Sequence, residues 1–435
     1  MLTRPRLAVL GLDGLPLSLA RELAPRLPNL AGLLDKAGSI EAELPELSPV
    51  NWTSLATGEG PEIHGVFGFT RLDPRSYELS LTDATHVSCP TLFDLLGERG
   101  LVSRVINLPN TFPARPLRGM LVAGFVAPDL ERAVFPPFLA GQLARLGYRL
   151  EADTTRGAKD PAYLLAGLRA TLASRRAALD LLWPDLAWDL FVFVLTETDR
   201  LFHFLWSAVT EKDHPLHRDC LELLEEWDRC IGTFLERFAD LPGPKRLLVL
   251  ADHGFTKLVT EVDLNRWLVE AGLLRLLPPQ KHGADAEWEA ARIAPQSAAL
   301  ALDPGRIWLH DQRRFGRGRL SGQEARPLAE QLRDALLGLT FQGERVMEQV
   351  FFGRDLYPGA AERFGAAVPD LVCLARPGFD LKAKFDRDSV FGRFGRDGAH
   401  TAGDAFFHDS HKARPQRVRD VGRLILEHFG TAACP

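Results

Sequence analysis

Carboxylate and imidazole groups recur just after short apolar runs in this chain. Asp13 follows Leu7–Leu12, Thr196-Glu-Thr-Asp199-Arg-Leu-Phe-His203 follows Leu190–Leu195, and Asp252-His253-Gly254 follows Leu247–Ala251. Asp199 and His203 stand four apart, which on a helical turn puts both side chains on one face, suited to one metal ion. Each feature alone is ordinary. An Asp after a strand commonly caps a helix, and a lone Asp–His pair is more often a surface ion pair. Their conjunction at separate strand ends is what points to chemistry. Imidazole with carboxylate suits zinc or manganese and requires no thiolate. A further segment, Leu47-Ser-Pro-Val-Asn-Trp-Thr-Ser-Leu-Ala-Thr-Gly58, places hydroxyls near a helix start. Free N–H groups and the helix dipole favour an anion there, although a simple N-cap would read the same way.

These groups need a scaffold that gathers strand ends. Leu7–Leu12 is a continuous apolar run, as expected of a strand buried on both faces. Apolar residues at helical spacing follow it, interrupted by Pro25 and Pro28. The grammar repeats. Helical patterns over 91–99, 164–182 and 216–238 alternate with strand patterns over 101–106, 120–125, 190–195 and 247–251. This alternation predicts an α/β fold, a three-layer, doubly wound and mostly parallel sheet with helices on both faces. In such sheets ligands bind outside the carboxyl ends of the strands, where Asp13, Asp199, His203, Asp252 and His253 fall. Residues 258–360 are less regular and are expected to form an inserted cap subdomain. The core then comprises 1–257 and 361–435, with a strand at 369–374 and a closing amphipathic helix at 419–429.

Composition excludes several classes. The 435 residues are 46% hydrophobic and 25% charged, the balance of an ordinary globular protein rather than a disordered one. A net charge of −5 offers no global basic field for nucleic acid. Five cysteines (Cys89, Cys220, Cys230, Cys373 and Cys434) are scattered, without a CxxC pair, which argues against a disulfide scaffold and fits a reducing compartment. No apolar stretch approaches the roughly 20 residues that span a bilayer. The six-residue run after Arg4 and Arg6 is too short for a signal-peptide core. A soluble, cytoplasmic protein of undetermined oligomeric state is expected.

Taken together, the motifs resemble the alkaline phosphatase superfamily, and within it the type I phosphodiesterase/nucleotide pyrophosphatase-like branch. The resemblance rests on Asp13 in a Gly-Leu-Asp-Gly turn and on Ser48…Thr57-Gly58 with Gly-x-x-Pro-x-x-His-Gly behind it. Asp199-x-x-x-His203, Asp252-His253-Gly254 and the late Gly398-Ala-His400 complete the set. Asn107-Leu-Pro-Asn-Thr-Phe-Pro113 and Gly124-Phe-Val-Ala-Pro128 also resemble that group. It implies two divalent metal ions, zinc or alternatively manganese. Asp13, Asp252 and His253 would hold the ion that activates Ser48, the nucleophile, and Asp199, His203 and His400 the other. Asn51 matches the position that donates to a non-bridging phosphoryl oxygen. The glycine before His400 is expected to allow a tight turn, while His408 and His411 read as a solvated loop. A formylglycine sulfatase is disfavoured, because Ser48 is followed by Pro49, Val50, Asn51 and Trp52.

The implied activity is hydrolysis of a small-molecule phosphoester through a covalent phosphoenzyme. Asn51 without a cationic neighbour in its segment, and apolar surface from Trp52 and Phe202, favour a diester. Asn107 and Arg200 complete the candidate substrate-binding set. Arg200 is either a cationic clamp, which would favour monoesters, or part of a structural ion pair. A phosphomonoesterase, a phosphomutase or phosphotransferase, and a non-catalytic module binding a phosphate ligand are the alternatives.

Overall fold

The computed structural model describes residues 5–280 and 283–431, so Arg4 and Cys434 lie outside the described residues. The chain divides into two units. The first comprises the chain up to Gly60, Asp83–Lys257 and the chain from Gly395 onward; the second comprises Pro61–Thr82 and Leu258–Phe394.

The first unit is built on an eight-stranded sheet. Its spatial order is Ala37–Ile40, Ala405–Asp409, Lys245–Leu250, Arg6–Leu12, Leu190–Leu195, Ser103–Leu108, Gly119–Ala123 and Val134–Phe135. The five strands from Lys245–Leu250 to Gly119–Ala123 pair in parallel, and antiparallel strands close both edges. Every residue of Leu190–Leu195 and Ser103–Leu108 is buried, so helices cover both faces, as unbroken apolar runs require. The helices Pro161–Leu182, Glu197–Thr210 and His217–Ala239 pack on one another, and Ser48–Thr57 packs on the closing helix Val418–His428. That last contact depends on Gly422, where a Cβ would lie 2.4 Å from the Leu55 carbonyl oxygen. No helix among the described residues is long and apolar enough to cross a membrane.

The second unit departs from the expected boundaries. Leu371–Ala375, expected in the main sheet, instead pairs antiparallel with Arg306–Leu309 and Met347–Phe352 in a separate four-stranded sheet. The unit therefore extends to Phe394 rather than to residue 360, and it also takes in Pro61–Thr82. A short apolar strand reads alike whichever sheet accepts it, and only pairing distant in sequence decides.

Candidate active site

Parallel register assembles the site. Leu12 is paired with Leu195 and Gly11 with Leu250, so the residues that follow these strands emerge side by side. Asp13 N–H donates to the Leu195 carbonyl (3.0 Å), and the Thr198 hydroxyl donates to the Asp13 carbonyl (2.6 Å). The helix Glu197–Thr210 begins at once, placing Asp199 and His203 four apart on one face. His400 arrives on Gly398–Thr401, which pairs antiparallel with Gly254–Lys257 and sets His400 opposite Phe255. Gly398 does not make the expected tight turn. It lies within a strand, where a Cβ would meet the Phe202 carbonyl oxygen at 2.4 Å, so close packing is what requires glycine.

The side chains converge in a buried cluster. Ser48 opens its helix, with Oγ 3.3 Å from His253 Nε2 and 3.5 Å from Asp13 Oδ1. His253 Nε2 lies 3.4 Å from Asp252 Oδ2 and 3.8 Å from both Asp13 and Asp199. His400 Nε2 lies 3.2 Å from Asp199 Oδ1 and 3.0 Å from His203 Nε2. Two groups, Asp199–His203–His400 and Asp13–Asp199–His253, each hold their ligand atoms within 4.8 Å of one another.

Protonation and charge fit divalent cations. His400 Nδ1 faces the Glu46 carbonyl at 2.8 Å and His253 Nδ1 faces the Gly254 carbonyl at 3.0 Å. Each Nδ1 therefore donates, leaving an Nε2 lone pair aimed into the cluster, the arrangement that orients a metal-binding imidazole. His203 differs. Arg396 Nη1 lies 2.9 Å from its Nδ1 and 3.4 Å from its Nε2, so the guanidinium sits against the edge of the ring. Burial and the carboxylates of Asp252 and Asp199 hold the Asp13 carboxyl well above its ordinary range. Burial opposes ionisation of Asp199 too, yet His203, Arg200 and His400 together pull it well below. Burial and the nearby His253 ring push His400 down. Asp252 Oδ2 is buried without a hydrogen-bond partner. A cluster of three buried carboxylates, one proton-hungry and one with an orphaned oxygen, is short of positive charge.

Residues 7–406 match the family described as type I phosphodiesterase/nucleotide pyrophosphatase. The chain belongs to that family. This phosphodiesterase-family chain is thus a phosphoric ester hydrolase. Its fold is similar to that of phosphonoacetate hydrolase from Sinorhizobium meliloti 1021 in complex with phosphonoacetate. That likeness has a TM-score of 0.60 at 16% identity, over 96% of this chain and 94% of the other. Murine ectonucleotide pyrophosphatase/phosphodiesterase 5 is similar at a TM-score of 0.56 and 14% identity, over 99% of this chain and 96% of that one. No curated protein matches by sequence.

Within this phosphodiesterase-family site, Asp13, Ser48, Asp199, His203, Asp252, His253 and His400 come together, whereas other expected members do not. Trp52 is fully buried, its ring so close beneath Gly11 that a Cβ there would meet it at 2.6 Å. Phe202 is equally buried, so neither ring offers a substrate wall. Asn51 also turns inward. Its Oδ1 accepts from Glu43 N–H (2.6 Å) and its Nδ2 donates to the Glu43 and Leu47 carbonyls. All its polar atoms thus clamp the preceding loop to the helix. Asn107, buried at a register shift between Ile106 and Leu108, donates to the Val194 carbonyl (3.0 Å) and pins a strand end. Arg200 ion-pairs with Asp199 and with Glu151 (3.1 Å), its guanidinium 4.4 Å from the Phe125 ring centre. His408 is not in a solvated loop. It is buried on Ala405–Asp409, with Nδ1 donating to the Leu33 carbonyl at 2.8 Å.

Sequence reasoning missed Arg396, Glu151 and the Glu46 carbonyl. Arg396, four residues before His400, was the one within reach of motif spacing; the other two are brought in by folding alone.

Proposed function

We propose that this chain cleaves phosphodiester or pyrophosphate bonds of small molecules through Ser48, by way of a covalent phosphoserine. The observation that carries the reading is the place of Ser48 Oγ, within 3.5 Å of both Asp13 and His253 at the start of a buried helix. Ser48 Oγ would form a bond to phosphorus as the bond to the leaving oxygen breaks, and water would then hydrolyse the phosphoserine. Asp13, Asp252 and His253 would hold one divalent ion, and Asp199, His203 and His400 another. Bound zinc or manganese ions would lower the pKa of the attacking hydroxyl and stabilise charge on the attacking and leaving oxygens. Leu47, the helix cap, makes no side-chain cap hydrogen bond, which leaves first-turn N–H groups open toward phosphoryl oxygens.

Diesters are favoured because Arg200, the expected clamp for a second phosphate charge, is committed to Glu151 and Asp199. Arg396 beside His203 is the one observation that favours monoesters. The absence of any disulfide among Cys89, Cys220, Cys230 and Cys373 supports a reducing, cytoplasmic setting.

The test uses zinc- or manganese-loaded protein against bis(4-nitrophenyl) phosphate and 4-nitrophenyl phosphate. A higher kcat/KM is expected on the diester, together with a loss of several orders of magnitude in Ser48→Ala at unchanged metal content. Near-parental turnover by Ser48→Ala would remove the nucleophile assignment. A clear monoester preference would shift the reading to Arg396 as clamp.

A further inference from the structure

The second unit contains a cavity of about 250 Å³ that the chemistry above does not use. Phe67, Trp308, Phe315 and Phe364 line it, giving largely aromatic walls. Two polar side chains on the same lining are anomalous. Arg306 is only 2% exposed, yet among the described residues no carboxylate pairs with it. Its guanidinium donates to neutral groups alone: the Asp303 carbonyl (2.9 Å from Nε), the Thr70 carbonyl (3.1 Å from Nη1) and the Thr70 hydroxyl (3.3 Å from Nη2). The nearby Asp303 carboxylate is taken by Lys384 at 2.7 Å. Thr82 is 3% exposed, and its hydroxyl has no hydrogen-bond partner.

Both features are costly unless something completes them. A buried cation needs a counter-charge, and a buried hydroxyl without a partner forfeits about 1–3 kcal/mol. The backbone makes room for the cation specifically, since a Cβ at Gly68 would lie 2.3 Å from Arg306 Cζ. Five guanidinium N–H groups face four accepted hydrogen bonds, so one Nη1–H remains to donate.

The geometry points to a binding site in the second unit for a small aromatic carboxylate, its ring among Phe67, Trp308, Phe315 and Phe364 and its carboxylate on Arg306 and Thr82. The size fits, because the cavity is below the roughly 300–1,000 Å³ typical of drug-sized ligands. Burial lowers the Arg306 pKa to about 10, which still leaves the group charged at neutral pH and able to hold an anion.

The test titrates the chelator-treated 435-residue chain with benzoate and with benzyl alcohol by ligand-observed saturation-transfer NMR. Chelation keeps benzoate from being held by metal ions at the phosphoester site. Benzoate should bind with a Kd of about 1 mM or tighter, at least roughly tenfold better than benzyl alcohol. Ser48→Ala should bind it as the parent does. Arg306→Met should lose it, and Thr82→Val, which keeps side-chain shape, should weaken it several-fold at unchanged Tm. Thr82→Leu, which removes the hydroxyl and adds bulk to the cavity wall while leaving Arg306 in place, should abolish binding and decides the matter if Arg306→Met fails to fold. Absence of benzoate binding at about ten times that Kd would overturn the inference, as would binding that survives both Thr82 variants.

Discussion

Gly398→Ala isolates the way the backbone positions His400. A Cβ there would stand 2.4 Å from the Phe202 carbonyl oxygen and 2.8 Å from Phe255 Cε1, against an ordinary contact of 3.4 Å or more. The strand carrying His400 must therefore retreat by about 1 Å, because the obstacle is backbone rather than a side chain that can swing away. Overpacking of this kind costs about 1–3 kcal/mol, and at about 2–4 °C per kcal/mol the Tm should fall by several degrees. A shift of about 1 Å in a reacting group costs about 100-fold in rate, equivalent to about 2.7 kcal/mol in the barrier. The assay is kcat/KM on bis(4-nitrophenyl) phosphate with metal content measured on the same preparation. Gly403→Ala is the control, since nothing lies within 4 Å of a Cβ there, and it should remain within about 0.5 kcal/mol of the parent. A Gly398→Ala protein with parental Tm and rate would refute the close-packing account.

His400→Ala should lower metal occupancy and cut diester turnover strongly, whereas His408→Ala should leave metal content unchanged and register only as lost stability; elemental analysis separates the two. Trp52→Ala should destabilise by about 3–5 kcal/mol, read from denaturant unfolding, because it empties a fully buried site. Its KM should change little if the protein is assayed well below its new Tm; a KM effect with unchanged stability would return Trp52 to the substrate. In the second unit, burial would raise the Asp303 pKa, but Lys384 and Lys382 hold it down to about 2. A depressed folded pKa contributes stability that is present above the unfolded value and lost as pH falls through the folded one. The protein should therefore lose about 2 kcal/mol between about pH 5 and pH 2. Asp303→Asn should flatten that slope in an acid unfolding series, and an unchanged slope would assign it elsewhere.

The sequence by itself determined the periodic elements and the residues at their ends. Leu190–Leu195 was legible residue for residue, because an apolar run bounded by polar residues carries its own limits. Asp13, Asp199, His203, Asp252 and His253 were legible for a related reason: a parallel sheet delivers whatever follows its strands to one edge, so order along the chain predicts nearness in space. Side-chain direction was not legible. Asn51 and Trp52 follow Ser48 by three and four residues on one helix, yet both face the interior, because that helix is buried all round and its sequence shows no polar face to orient it. Arg200 adjoins a site carboxylate in sequence, but Glu151, brought in by folding, decides where its charge is used. The strand Leu371–Ala375 gave no sign of which sheet would accept it, since pairing is a property of two distant segments. Gly398 makes the same point at one atom. Its need for glycine comes from the Phe202 carbonyl, nearly two hundred residues away in sequence, which no local pattern encodes.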